Sequence, residues 1–542
     1  MKRNLEIIEK ICIVGIVILA VIIFVGIGYL WTDHEGVSTE TGVESGTEDR
    51  TQQESGPENQ KEELSGVLEF MPSNIHLGKK IELDYFQDAQ GNLVNLQNEY
   101  KGKVKVLVFW GSWCSYCERT LQSIRDCSEI LKNYPDVEII LINKTDLDKG
   151  ESVEKAQSYL EEQKLDFSCF YDKELAGYQS FGIKRIPTLL VLDKDGYVRD
   201  ITVDTVESKE EWEQFLNLAQ YGKGYETFQK IKSKWMGEEG QVYTEMKSRK
   251  SSHPSGHDVL SESMGIMLEY AVLQKDKELF NQTELYLQQK QERDHIYSWY
   301  VTEDGKQADA NALLDDFRIY NSFSQANDLW GEKEEELALF SDGILKHNSK
   351  NGELYSFYDF SQKTPGKEIS LNYVDFQTLG LLEKQNEAFS PINNKMKQIV
   401  EEGYISDSFP LYYASYNYKK GTYSLDDLHT AEALLTLYHL AQVENMKETS
   451  REWLRDQLSG NGLYAKYEID GNVVPGYEYE SAAVYAIAAM IGIEENDSDI
   501  YTKAILRMEL LMQQNTDAEN MRVFDLLMPM MAYARGDMVQ FR

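Results

Sequence analysis

The chain has 542 residues, room for two or three domains, of which 42% are hydrophobic and 11% aromatic. Its formal net charge is −36, which argues against a surface for nucleic acid phosphates and, more weakly, against a polyanionic substrate; a neutral or cationic polymer fits better. Five cysteines are too few for a disulfide framework.

Residues 1–10 carry Lys2, Arg3 and Lys10, and an apolar run follows over 11–31. The run is long enough to span a bilayer as a helix. Basic residues before it and acidic ones after it place the N-terminus in the cytoplasm and the rest outside. A cleaved signal peptide is the competing reading. The run is longer than a usual signal core and lacks a clear small-x-small site, so an uncleaved single-pass anchor is expected. Residues 32–66 are rich in Glu, Gly, Ser, Thr and Gln and nearly free of apolar residues. Such a composition cannot bury a core and reads as a disordered acidic linker.

From 67 to 220 strands alternate with helices, which predicts an α/β layer. Val104 to Phe109 and Val137 to Asn143 read as buried strands, and Ser152 to Gln163 as a helix between strands. Leu189 to Val203 reads as a hairpin turning at Asp195-Gly196. Directly after the first strand comes Trp113-Cys114-Ser115-Tyr116-Cys117. Two thiols at that spacing can close a small disulfide at a helix start, where the helix N-terminus stabilises the first thiolate. There is no second Cys-x-x-Cys, as a zinc site of that kind would need. No metal is expected. Cys127 and Cys169 read either as buried thiols or as a further disulfide or relay.

This region resembles the thioredoxin superfamily, and within it the membrane-tethered thiol–disulfide oxidoreductases of the TlpA and ResA type. The resemblance rests on Asp88 to Asn92, Tyr100 to Lys103, the Cys114–Cys117 motif, Phe181-Gly182-Ile183 and Ile186-Pro187-Thr188. It implies that Cys114 is the attacking thiolate and Cys117 the resolving thiol. Exchange with a protein thiol partner then passes through a mixed disulfide. It further implies that Trp113 and a cis Pro187 flank the pair, and that no cofactor beyond the Cys114–Cys117 disulfide is used. Two positions depart from the pattern: Val108 stands where an acid is common, and Thr120 where many ResA-like proteins carry Glu.

From 221 to 542 the apolar period becomes helical. Eleven or so helices are predicted: 224–235, 259–273, 277–290, 311–327, 334–346, 375–384, 425–440, 449–458, 479–492, 499–514 and 524–535. Paired helices without a fixed repeat point to an all-α (α/α)6 barrel or a helical solenoid. Carboxylates stand at several helix starts beside aromatics. From separate helices they could cleave a glycosidic bond, one as acid and one as base; at single helix starts they also serve as ordinary caps.

The order of motifs resembles glycoside hydrolase family 8, whose fold is an (α/α)6 barrel. Lys234-Trp235, Ser261-Glu262-Ser263-Met264-Gly265, Tyr297-Ser298-Trp299-Tyr300, Asp309 to Asp316 and Tyr423 to His429 carry it. The resemblance implies Glu262 as general acid and Asp426 as the base of an inverting reaction. It places Asp315 or Asp316 at a sugar, with Arg318, Trp299 and His429 as further substrate contacts; Trp330, Tyr412 and Tyr413 could stack on sugars or pack in the core. Ser263, Met264, Ile266 and His429 differ from the family pattern. The whole reads as a single-pass cell-membrane protein with both domains extracytoplasmic, an oxidoreductase joined to a barrel that cleaves a cell-surface or extracellular polysaccharide. In the alternative, the barrel has lost catalysis and only binds glycan or an envelope partner.

Overall fold

A computed structural model describes residues 69–248, 254–514 and 521–542. The expected membrane span at 11–31 and linker at 32–66 lie outside the described residues. Among those described, no helix is long and apolar enough to cross a membrane.

The first part is a seven-stranded sheet of order β2-β1-β5-β4-β3-β6-β7. Its strands are β1 (Phe86–Gln87), β2 (Leu93–Val94), β3 (Val104–Trp110), β4 (Val137–Lys144), β5 (Ser168–Asp172), β6 (Thr188–Leu192) and β7 (Val198–Thr202). Every residue of β3 is buried, as befits a central strand covered on both faces. It runs parallel to β4 and antiparallel to β6, with Phe109 opposite Thr188. Helices α1 (Leu96–Glu99), α2 (Ser115–Asp126), α3 (Val153–Gln163), α4 (Ala176–Phe181) and α5 (Lys209–Tyr221) complete it. Ser208 and Glu211 form a capping box at the start of α5. The predicted hairpin is β6–β7, turning at Gly196 with φ +92°.

Among the described residues the second part holds twelve helices: α6 (Lys223–Lys234), α7 (Ser261–Leu273), α8 (Lys277–Lys290), α9 (Leu313–Trp330), α10 (Glu334–Asn348), α11 (Phe376–Gln385), α12 (Ser390–Glu402), α13 (Thr430–Ala441), α14 (Glu448–Ser459), α15 (Ala482–Glu494), α16 (Ser498–Gln514) and α17 (Phe524–Gly536). The odd-numbered ones form a closed inner ring, α7-α9-α11-α13-α15-α17 and back to α7, with the even-numbered ones outside. α7, α13 and α15 are buried almost all round, as inner helices must be.

Two expectations change. α12 was not predicted; its stripe of Ile392, Met396, Ile399 and Val400 is buried behind a Pro at the helix start. The helix expected from 425 begins at Thr430 instead. Thr422–Tyr423 and Leu428–His429 are short strands that pair with Tyr416–Asn417 and Lys466–Tyr467. Long-range pairing there overrides local helical spacing.

The two parts pack directly. α5 ends at Tyr221 and α6 begins at Lys223, joined by Gly222 at φ +87°. Lys223, half-buried, sits between Asp200 of β7 and Glu509 of α16. Arg199 of β7 pairs with Asp193 at 2.7 Å and donates to the carbonyls of Gly536 and Val539, 3.0 and 2.6 Å away. The Leu77 N–H donates to Thr502 at 3.0 Å, and the Phe541 N–H to the Gly78 carbonyl at 2.9 Å. Asp193 and Arg199 lie at the sheet end away from Pro187, which precedes β6. On the barrel they meet the C-terminal end of inner helix α17. The contact therefore joins the far ends of both parts.

Candidate functional sites

The first site forms where β3 ends. Cys114 is the N-cap of α2, and its sulfur accepts from the Cys117 N–H at 3.2 Å. That sulfur also lies 3.6 Å from the Ile186 carbonyl, next to the cis Ile186–Pro187 bond. Cys114 is half-buried, whereas Cys117 is fully buried. The Cys117 thiol, the neighbouring backbone N–H groups and the Arg185 charge pull the Cys114 pKa down to about 6. Burial and the adjacent Cys114 push that of Cys117 well up. One sulfur is thus an accessible thiolate at neutral pH and the other a protonated thiol, the asymmetry that exchange needs. Trp113 packs beside Gly111, where an added Cβ would stand 3.0 Å from the indole.

Val108 and Thr120 supply no acid. Val108 is buried, and the Thr120 hydroxyl accepts from the Val206 N–H at 3.2 Å. A residue not singled out from the sequence stands closer to the redox turn. Glu151, 1% exposed, accepts from the Ser112 hydroxyl at 2.6 Å and the Asn143 amide at 3.1 Å. It fixes the turn that leads into Cys114. Only its place in Gly150-Glu151-Ser152, just before α3, could have marked it. All four described cysteines are free thiols. Burial pushes the Cys169 thiol up to about 12 and raises that of Cys127; Cys127 is buried as expected, whereas Cys169 is half-buried, and neither pairs in a disulfide.

The second site lies at the N-terminal ends of the inner helices. Glu262, in the first turn of α7, and Asp315, in the first turn of α9, are each 7% exposed. Burial, then repulsion from Asp315, raises Glu262 to about 8. Burial raises Asp315 as well, opposed by Arg318 and by the Ser261 hydroxyl, which donates to it at 2.6 Å. The Ser261 N–H donates to the carbonyl of Trp299 at 3.0 Å, which brings that residue to the site. Gly265 leaves room for Arg318, since a Cβ there would stand 3.3 Å from the arginine Cδ. Below the acids five inner helices and Asp375, the N-cap of α11, line a cavity of about 40 Å³, with Arg318, His439 and Met531 also in its wall.

Other expected residues fall elsewhere. Asp316 is fully buried and accepts from the Tyr297 N–H and the Asn311 amide at 3.0 and 2.6 Å. Helical phase turns it away from Glu262, so it holds a loop and cannot touch a sugar. Asp426 is exposed on the loop before α13, held by the Ser424 hydroxyl. His429 pairs in a short strand with Lys466, and burial lowers its pKa to about 4. Trp330 packs on Phe280, Tyr412 is buried, and Tyr413 stacks on Tyr423.

Comparison with known proteins agrees with this division. The Redoxin family model matches residues 73–216. The thiol-disulfide oxidoreductase ResA of Bacillus cereus (strain ATCC 10987 / NRS 248) is 28% identical over 163 residues, 28% of this chain and 88% of ResA. The protein YdaJ of Bacillus subtilis (strain 168) is 26% identical over 279 residues, 50% of this chain and 72% of YdaJ. Among solved structures, an alpha-amylase from Clostridium perfringens superposes with a TM-score of 0.53 at 24% identity, covering 57% of this chain and 96% of the amylase. Residues 73–216 thus match a redoxin, and the helical ring that follows shares its fold with the amylase.

Proposed function

We propose that this protein is a membrane-anchored, extracytoplasmic thiol–disulfide oxidoreductase whose barrel cleaves a cell-surface or extracellular polysaccharide by an inverting acid–base reaction. The redox half is a thiol–disulfide oxidoreductase. Its chemistry is carried by the Cys114 thiolate at the helix start beside Pro187. Cys114 attacks a disulfide of a partner protein and forms a mixed disulfide; Cys117 then displaces the partner's thiol and closes the Cys114–Cys117 bond. The apolar run at 11–31 would tether both parts outside the membrane. The acidic segment at 32–66 would hold them off its surface.

For the barrel, one observation carries the reading: Glu262 sits buried beside Asp315 at the mouth of the inner ring. Burial keeps Glu262 protonated at neutral pH, the state a general acid needs to protonate a leaving glycosidic oxygen. A second carboxylate activates water on the other side of the sugar; the family resemblance gives that part to Asp426. Asp315 and Arg318 would bind the sugar at the cleavage point, with Trp299 beside it. The large negative charge fits a neutral or cationic polymer.

The test is release of reducing ends by the whole protein from starch, β-1,4-glucan, xylan and chitosan, with Glu262→Gln as control. Release that vanishes in the variant supports a glycosidase. Release from none of the four sinks the hydrolase reading. The exposure of Asp426 on its loop favours as second reading a barrel that binds glycan without cutting it; calorimetric binding without turnover would support that.

A further inference from the structure

Cations lie on aromatic rings around the redox turn. The Lys149 ammonium stands 5.7 Å from the centre of the Trp113 ring, the Arg185 guanidinium 5.0 Å from that of Phe70 and the Arg119 guanidinium 4.8 Å from that of Tyr116. They come from three segments: the loop after β4, the residue before Ile186, and α2. Stacking on a ring fixes a cation in place and leaves it open to a second, anionic partner. The Arg185 charge reaches the Cys114 sulfur and favours its thiolate.

Two of these cations lack a carboxylate. Arg119 is paired with Glu207 at 2.9 Å, but Lys149 and Arg185 have no ion pair among the described residues. Lys184, exposed beside Arg185, donates to the Glu69 carbonyl at 2.8 Å and has none either. Lys184 and Arg185 thus form a basic pair directly before the cis Ile186–Pro187 bond, and the Ile186 carbonyl lies 3.6 Å from the Cys114 sulfur. Against a net charge of −36 for the chain, the pair is a local exception. The acids on the same turns are placed differently. Glu151 is turned inward onto Ser112 and Asn143, and Glu118 accepts from Gln122 along α2. Asp148 is exposed next to Lys149 and offsets part of its charge.

Apolar surface is exposed in the same place. Phe70, Tyr116 and Leu147 are exposed by 40%, 54% and 78%. Phe70 carries Arg185, Tyr116 lies between the two cysteines, and Leu147 is two residues from Lys149. Exposed apolar and aromatic groups beside cations suit a protein-docking rim.

We infer that this rim selects a partner whose reactive cysteine lies in an acidic, partly apolar segment, with carboxylates against Lys149, Lys184 and Arg185. The inference deepens the oxidoreductase reading and rests on it. The Cys114 thiolate bonds to the partner's cysteine sulfur as the partner's disulfide breaks. Cys117 then gives up its proton and displaces the partner's thiol. Two electrons pass from the protein dithiol to the partner disulfide. Opposite charge across the rim speeds encounter and fixes register.

The experiment uses the whole reduced protein and three cysteine peptides of equal length, each activated as a 2-pyridyl disulfide. One carries glutamates and a leucine beside the cysteine, one has lysines in place of the glutamates, and one has glutamines. Attack on the peptide sulfur releases pyridine-2-thione, whose absorbance is followed. Salt at about 0.15 M, with a screening length of about 8 Å, mutes the distant charges of the chain and leaves contacts within the rim. The glutamate peptide should react about threefold to tenfold faster than the lysine peptide, the size expected of a few exposed ion pairs. Lys149→Glu combined with Arg185→Glu should reverse that order. The ratio is read because a changed thiolate population scales all three rates alike. Lys350→Glu, at an exposed position in the barrel hairpin at 349–354, should leave the ratio within about twofold of wild type. Circular dichroism checks folding; if Arg185→Glu does not fold, Lys184→Glu takes its place. Equal rates for the glutamate and lysine peptides, or a faster lysine peptide, overturn the inference and leave the oxidoreductase reading standing. An unreversed order in the folded double variant also overturns it. No thione from any peptide removes both.

Discussion

Lys223, the first residue of the barrel's opening helix, reaches into the redoxin sheet and meets Asp200 at 2.5 Å, with Glu509 on its other side. Burial disfavours the lysine charge, but the two carboxylates hold its pKa above the ordinary value. A buried ion pair adds little over an apolar contact, yet breaking one strands a charge at a cost of about 3–5 kcal/mol. Lys223→Ala should therefore lower the unfolding midpoint in urea. It should also separate the loss of redoxin structure from the loss of barrel structure. Far-UV circular dichroism, dominated by the barrel helices, and alkylation of buried Cys117 follow the two parts; coincident, unshifted curves in the variant would show that the junction is not held this way.

Because this junction joins the far ends of both parts, Cys114 and Glu262 face away from each other. Cys114→Ser should abolish disulfide exchange and leave any glycan turnover unchanged. Glu262→Gln should do the reverse. A change of more than about twofold in the untouched activity would mean that the sites are coupled.

The thiolate of Cys114 sets a pH profile. Its pKa is lowered to about 6, so the reactive form dominates above that pH and is lost below it. Alkylation of reduced protein by iodoacetamide should rise through a midpoint near pH 6 and then level off. At pH 5 the rate should be roughly a tenth of the plateau. Cys117 should stay unmodified throughout. A midpoint at pH 8 or above would contradict the hydrogen-bonded geometry.

Much of this was readable along the chain. The seven apolar residues of β3 run directly into the Cys-x-x-Cys motif, and Asp195-Gly196 marks the β6–β7 turn, because local chemistry decides both. The inner helices were legible for the same reason. What sequence could not resolve was phase and distance. Asp315 and Asp316 are neighbours in the chain, but one shares a face with Arg318 and meets Ser261, while the other turns into a sealed pocket with Asn311. Glu151 reaches Ser112 from a loop after β4, a contact that no local pattern announces. The Leu428–His429 strand depends on a partner at Lys466–Tyr467.

Gly224 tests the packing of the junction. A Cβ there would lie 2.6 Å from the Cα of Ala534, backbone that cannot swing aside. α6 thus rests directly on inner helix α17. Gly224→Ala gains helix propensity of about 1 kcal/mol, but overpacking against backbone costs about 1–3 kcal/mol. A lower thermal midpoint is expected. Gly331→Ala makes the contrast: nothing lies within 4 Å of its added Cβ, and its φ of +73° is the sole source of strain.

Glu262 offers the sharpest separation of function from stability. Its pKa is raised from 4.5 to about 8 by burial and by Asp315. Between those values the native protein holds a proton that the unfolded chain has released. Stability therefore falls as pH rises from about 4.5 to about 8, because the unfolded state binds fewer protons. Glu262→Gln keeps the shape and removes the ionisation. It should raise the unfolding free energy at pH 7 by an amount on the order of 2–3 kcal/mol. The gain should vanish near pH 4, where both states of the wild type are protonated. Urea unfolding of both proteins at pH 4 and pH 7 measures this directly. Equal stability at pH 7 would mean that the carboxylate ionises freely in the fold, and it could not then serve as a proton donor at neutral pH.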